Sequence, residues 1–306
     1  MSIYEQSVKP GTLYIRKKAL KKVLPLWGHR KIEDINYRTY QSLITDLSKN
    51  YSRNYVESIH HSLSLIFKFA EREKLIYEIP CHNVVFKKEY SDANKFENFL
   101  EKDKLNEFLR IAKNSNKKND FIIFYTLALT GLRIGELMAL RWEDINLKDK
   151  FLTVNHTLYN PTNNENKYLL DTPKTEKSRR KVPLADVLVK ELDKYKKDIE
   201  AKYKTQTNKN FVFFKNEYKP LTHTYMRNRL KALLKKWDYD HPITLHSFRH
   251  TFASLLIEQK ESVINVAELL GHSDTTITTK IYTHLTNTRH LEMQSSLSNF
   301  AATLEL

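Results

Sequence analysis

The stretch Leu245-His246-Ser247-Phe248-Arg249-His250-Thr251-Phe252-Ala253-Ser254-Leu255-Leu256 reads at helical period. At about 100° per residue, Leu245, Phe248, Phe252, Leu255 and Leu256 fall on one apolar arc. His246, Arg249 and His250 fall on a neighbouring arc, roughly 100° wide by the same arithmetic. These three point together, beside the core face rather than into it, which suits the floor of a cleft. A lone histidine here would read as a structural residue, whereas three such groups on one arc read as a site. The helix leads on to Leu270-Gly271-His272 and then to Tyr282.

Working outward, helical periodicity dominates the chain. Upstream, Leu13 to Leu26 is basic and amphipathic, and Asn36 to Leu47 is a second candidate helix. Asn54 to Lys74 is a third, with Ile59, Leu63, Ile66, Phe67 and Ala70 along one face. Residues 1–85 therefore read as a small helical module. The polar run at residues 86–98 reads as an interdomain linker. Beyond it, Lys102 to Lys113, Asp120 to Leu129 and Arg133 to Leu140 are expected helices. The period then changes: Phe151 to Leu158, Tyr168 to Asp171 and Lys181 to Leu184 read as short strands of one small sheet. Helix returns at Ala185 to Lys204, Thr222 to Lys236, His246 to Glu258, Val263 to Leu270 and Thr275 to Tyr282, with a last amphipathic segment from Thr288 to Leu304. The expected class is mainly α with a small antiparallel β-sheet (α+β), in two domains, the second being residues 99–306.

Composition bounds the partners. The 306 residues include 51 Lys and Arg against 36 Asp and Glu, a formal charge of +15. Such an excess favours polyanions, nucleic acid above all. It is densest in the N-terminal third, where residues 1–90 hold 16 basic and 9 acidic side chains. The single cysteine, Cys81, excludes a disulfide framework within the chain. No apolar run is long enough for a membrane span and no signal-peptide core opens the chain, so a cytoplasmic setting and no membrane partner are expected.

The chemistry of the His246–Tyr282 region fits a phosphodiester. Attack on phosphorus adds charge to the non-bridging oxygens, and fixed Arg and His donors stabilise that charge. Arginine's planar fork matches two phosphate oxygens and stays charged. Arg249 is one candidate, and Arg133, in Thr130-Gly131-Leu132-Arg133-Ile134-Gly135-Glu136-Leu137, is the other. Glu136, three residues on, reads as a brace rather than a proton carrier. A water nucleophile usually needs a carboxylate-held metal. No Asp/Glu cluster at metal-ligand spacing lies near His246–Tyr282, so no metal or cofactor is expected and a side-chain nucleophile, Tyr282, is preferred. Neighbouring cations would favour its phenolate. The leaving alkoxide needs an acid, and Lys174, between two expected strands, could reach a groove or be a solvated turn residue. Lys177, Arg179 and Arg180 read as phosphate contacts. Three of the five glycines, Gly131, Gly135 and Gly271, flank these residues, where close approach and helix capping are both open readings.

As a set these motifs resemble the tyrosine recombinase (phage integrase) family, over roughly Gly11 to the C-terminus. Thr-Gly-Leu-Arg-Ile-Gly-Glu-Leu is similar to the family's first-arginine box (Arg133), and Pro-Lys-Thr ahead of Arg-Lys-Val-Pro-Leu to its hairpin lysine (Lys174). His-Ser-Phe-Arg-His is similar to its His-x-x-Arg box (His246, Arg249), Leu-Gly-His-Ser to the next histidine (His272), and Ile-Tyr-Thr-His to the nucleophile segment (Tyr282). The wording is closest to integrases of Gram-positive phages and conjugative transposons. The resemblance implies attack by Tyr282, a 3′-phosphotyrosyl link, a departing 5′-hydroxyl with Lys174 as acid, and no need for ATP or metal. His250 would support the site from behind. It further implies a core-site DNA-binding domain (SAM-like) in residues 1–85, two domains closing on double-stranded DNA as a C-shaped clamp, and a homo-tetramer on DNA. Accessory DNA-bending or excisionase proteins would assist, and the Thr288 to Leu304 segment would dock in cis or on a neighbouring protomer. Members from mobile elements often carry a further N-terminal arm-binding domain of ~60 residues, a small domain. Here the helical module starts by residue 11, which reads as a short member or a truncated chain. The expected function is integration or excision of a mobile element. A type IB-like topoisomerase and a catalytically silent DNA-binding protein are the alternatives.

Overall fold

The computed structural model describes residues 2–87, 99–117, 119–172, 178–202, 211–215, 219–272 and 279. The expected helix at 275–282, apart from residue 279, the expected helix at 288–304, and the site residues Lys174 and Tyr282 lie outside the described residues. The chain divides into two compact units, residues 1–92 and 93–306.

The first unit is helical among its described residues. It comprises α1 (Ser2–Ser7), α2 (Pro10–Trp27), a 3-10 turn at Ile32–Asp34, α3 (Tyr37–Asn50) and α4 (Arg53–Arg72). Pro10 opens α2, where a missing N–H costs nothing. Asn36 caps α3 by accepting from the Thr39 N–H at 3.0 Å. Helix α3 buries Tyr40, Leu43, Ile44 and Leu47, and α4 buries Val56, Ile59, Leu63, Phe67 and Ala70. Both sets follow the i, i+3, i+4 spacing of one apolar stripe. The Tyr40 hydroxyl, buried with its ring, is satisfied by His60 Nδ1 at 3.0 Å. One expectation needs correction. Ile66 is exposed, because the stripe that starts at Val56 runs through Phe67 and leaves Leu65, Ile66 and Phe69 on the outer side. Glu5 of α1 pairs with Lys17 of α2 at 2.7 Å.

The second unit is α+β. It runs α5 (Lys102–Lys113), α6 (Asn119–Thr130), α7 (Ile134–Ala139), a 3-10 turn at Trp142–Asp144, β1 (Ile145–Asn146), β2 (Phe151–Thr153), β3 (Thr157–Tyr159), β4 (Leu169–Asp171) and β5 (Lys181–Pro183). Helices α8 (Asp186–Lys202), α9 (His223–Trp237), α10 (Ser247–Glu258) and α11 (Val263–Leu270) follow. Among the described residues the expected single sheet is two antiparallel ones: β1-β2-β5, with Leu152 opposite both Ile145 and Val182, and β3-β4, with Leu158 opposite Leu170. The expected strand from Phe151 to Leu158 breaks at Asn155. That side chain donates to Asp144 Oδ1 at 2.7 Å and accepts from Arg179 Nε at 3.2 Å, a local polar alternative to the ladder.

The core of this unit is built around Phe108, Phe124 and Phe248, whose ring centroids lie 5.2 to 5.3 Å apart. A smaller cluster of Ala253, Ile257, Val266 and Leu270 joins α10 to α11, with Phe252 and Leu256 at its margin. Helix α6 ends at Gly131, which sits at φ +59°. A methyl there would stand 2.5 Å from Phe252 Cδ1 and 2.7 Å from Leu270 Cδ2. Conformation and space therefore both require glycine, and the following residue but one, Arg133, is delivered at a fixed angle.

Gly131→Ala is accordingly expected to destabilise the second unit by ~2–4 kcal/mol, combining left-handed strain with overpacking. Urea unfolding would check this. Gly131→Asn should be no better, because asparagine tolerates the backbone angle but still carries the clashing carbon.

Candidate active site

Helix α11 organises the site. Ser262 caps its start by accepting from the Asn265 N–H at 3.1 Å, and Gly271 ends it in the left-handed conformation at φ +67°. The Gly271 N–H returns to the Glu268 carbonyl and the His272 N–H to the Ala267 carbonyl, each at 2.9 Å. This reversal leaves the next three carbonyls for side chains. Arg180 Nε donates to the Leu269 carbonyl at 2.7 Å, Arg249 Nη2 to that of Leu270 at 2.5 Å, and Arg133 Nη2 to that of Gly271 at 3.3 Å. Three guanidiniums from three parts of the chain thus meet the negative end of one helix dipole.

Glu136 supplies the countercharge. Its Oε2 accepts the Arg133 backbone N–H at 2.9 Å, capping α7, and its Oε1 accepts Arg133 Nη1 at 2.9 Å. Arg180 closes a two-pronged pair on the same carboxylate, Nη1 to Oε1 at 3.2 Å and Nη2 to Oε2 at 3.0 Å. The Glu136 side chain is 5% exposed. Burial pushes its carboxyl upward, but the hydrogen bonds and charge of Arg180, with Arg133, outweigh this and hold it below the ordinary value. Glu136 is a brace, as expected. Arg180 is not on the surface, as a phosphate contact would be. Its side chain is 6% exposed, because the strand alternation that leaves Lys181 and Pro183 outside turns Arg180, Val182 and Leu184 inward. That period was available in the sequence, but a second arginine at Arg179 obscured it.

Arg133 keeps 38% of its side chain exposed. Arg249 lies deeper than the helical arc suggests, at 1% exposure, with Nη1 on the Gly131 carbonyl at 2.8 Å and its buried Nε without a hydrogen-bond partner among the described residues. Burial, then the charge of Arg133, pushes its guanidinium down to about 9, so it stays charged at neutral pH.

His246 precedes α10 and lies edge-to-face with His250, centroids 4.6 Å apart. Loss of hydration, then the charges of His250, Arg249 and Arg133, pushes His246 to about 4, against a small opposing pull from Glu136. The residue as a whole is nevertheless exposed to solvent. His272 is half-buried, and burial with Arg249 and Arg133 pushes it to about 4 as well. His250 is lowered by burial and by Arg249. Imidazoles held neutral at pH 7 can accept a proton as well as donate one. Of the expected site residues, Arg133, His246, Arg249 and His272 therefore form one electrostatic neighbourhood, while Lys174 and Tyr282 lie outside the described residues. Among the described residues no group of three His, Cys, Asp or Glu side chains is placed to hold a metal ion. The arrangement can bind an anion with fixed cations and exchange protons beside it.

Comparison with known proteins agrees in family. The chain is 31% identical to the ICEBs1 integrase of Bacillus subtilis (strain 168), over 89% of its own length and 70% of that protein. It is 28% identical to the integrase of Staphylococcus phage L54a, over 87% of its length and 80% of that protein. In fold it is similar to the Tn1549 transposon integrase in complex with a circular intermediate DNA, with a TM-score of 0.78, 21% identity and coverage of 91% and 90% of the two chains. It is likewise similar to a lambda integrase dimer bound to a core site, with a TM-score of 0.70, 20% identity and coverage of 91% and 73%. The phage integrase family model matches residues 98–289, so the chain belongs to the phage integrase family, the tyrosine-type site-specific recombinases.

Proposed function

We propose that the chain integrates and excises a mobile DNA element by cleaving and rejoining double-stranded DNA through a 3′-phosphotyrosyl intermediate. The observation that carries this is the convergence of Arg133, Arg249, His246 and His272 around the end of α11. Arg133 and Arg249 meet the scissile phosphate and stabilise the charge that develops on it. His246 and His272, neutral before DNA arrives, hydrogen-bond the phosphate and exchange protons. Tyr282 attacks phosphorus through its phenolic oxygen and passes its proton to a neutral imidazole of the site. The bond to the 5′ oxygen breaks, and Lys174 gives that oxygen a proton, so that it departs as the 5′-hydroxyl. Reversal by the 5′-hydroxyl of a partner strand completes the exchange without ATP.

In this reading residues 1–85 form the core-site DNA-binding domain, 86–98 the linker and 99–306 the catalytic domain, closing on the duplex as a C-shaped clamp. The charge of +15 supports a DNA partner. The DNA-bound relatives support it by analogy, since the Tn1549 and lambda integrases were both captured on DNA. A homo-tetramer on DNA, accessory bending or excisionase proteins and a cytoplasmic setting belong to the same proposal. No described helix is long and apolar enough to cross a membrane.

The direct test uses nicked duplexes tiled across the DNA flanking the gene, resolved on denaturing gels. A covalent protein–DNA adduct is expected, lost in Tyr282→Phe; an adduct that survives this change would remove Tyr282 as nucleophile. Arg133→Ala should slow adduct formation ~100-fold or more, the usual cost of deleting one charge-stabilising donor.

The imidazoles give a pH test. The free folded protein should show His246 and His272 titrating near 4 by NMR, rising when duplex DNA brings a phosphate beside them. Both folded values lie below the ordinary histidine value. The unfolded chain therefore binds more protons in that interval, and folding stability should fall as pH drops from about 6.5 towards 4. Stability flat across that window would contradict the assignment.

A further inference from the structure

Arg180 belongs to the site yet is almost wholly buried, and its contacts say why. Its guanidinium faces two ways: two nitrogens grip the carboxylate of Glu136, and the third donates to the Leu269 carbonyl at the end of α11. It also donates to the Ser178 carbonyl at 3.2 Å, which fixes its own loop. Through Glu136 it reaches Arg133, because the same carboxylate takes Arg133's side chain and backbone N–H. Through Leu269 it reaches the turn that carries Gly271 and His272.

We infer that Arg180 is a positioning residue for strand cleavage: it locks the start of α7 to the end of α11, so that Arg133 and His272 face the phosphate at a fixed separation. The inference rests on the reading of the site as a phosphoryl-transfer centre. Without Arg180, Glu136 would be left to Arg133 alone and would draw that guanidinium inward, away from the open side where 38% of it is exposed. The α11 end would lose one of its three tethers. A lysine could keep the charge but has a single point of attachment, so it could not span carboxylate and carbonyl together.

The test is Arg180→Lys, with Arg180→Gln as the second variant should the lysine protein fail to fold; both leave Glu136, which Arg133 also uses, unchanged. Three readouts are taken: thermal melting, duplex affinity by gel shift, and single-turnover adduct formation on saturating nicked duplex that the unaltered protein cleaves. Melting and affinity should stay near the unaltered protein, while the adduct rate falls ~10- to 100-fold, as expected when a reacting group is misplaced by about an ångström. Adduct formation within about twofold of the unaltered rate, or a loss restored by more DNA, would overturn the inference. A fourth readout needs no activity: 15N relaxation of the Arg133 Nε–H should show a more mobile guanidinium in Arg180→Lys. An equally rigid Arg133 would overturn the inference even on a chain that cleaves nothing. An unaltered protein that forms no adduct on any flanking duplex would instead defeat the recombinase mechanism and leave this arm to judge Arg180.

Discussion

Like charges must be held side by side before they can act on a phosphate. Arg133, Arg180 and Arg249 repel one another, and Arg180 and Arg249 are almost wholly removed from water. Such a cluster survives only where acceptors are arranged in advance. Two devices do this. One is the Glu136 carboxylate, which serves two guanidiniums and caps α7. The other is the last turn of α11, whose three successive carbonyls take one arginine each. The remaining geometry follows: Gly271 must turn left-handed to expose those carbonyls, and Gly131 must be bare so that α6 can end against Phe252 and Leu270.

The same crowding explains the imidazoles. Burial first, and then the charges of Arg249 and Arg133, disfavour a proton on His246 and His272, so both stay neutral. A bound phosphate would reverse that balance, since an anion favours the protonated ring. Proton affinity of these imidazoles is therefore set by what occupies the centre.

Much of this was legible in the residues. The helices of both units follow their apolar spacing, and the pairing of Arg133 with Glu136 followed from a three-residue offset. The boxes around Arg133, His246, Arg249 and His272 pointed to one neighbourhood although over a hundred residues separate Arg133 from the rest. What was not legible depended on tertiary context. Asn155 breaks a strand because Asp144 waits across a turn for its amide. Arg249 sinks from its arc because backbone carbonyls of Gly131 and Leu270 await it, and carbonyls leave no mark on side-chain patterns. Arg180 looked like one more surface cation in a basic turn, when strand alternation had turned it inward.

The sharing of acceptors bears on how such a protein can change. Arg133 and Arg180 divide one carboxylate, and those two with Arg249 take successive carbonyls of one turn, so the place of each depends on the others. Substitutions among them will not combine additively, because each alters what the others can bind. Changing one of these residues obliges the others to rearrange, so the centre's interior is open to redesign only as a block.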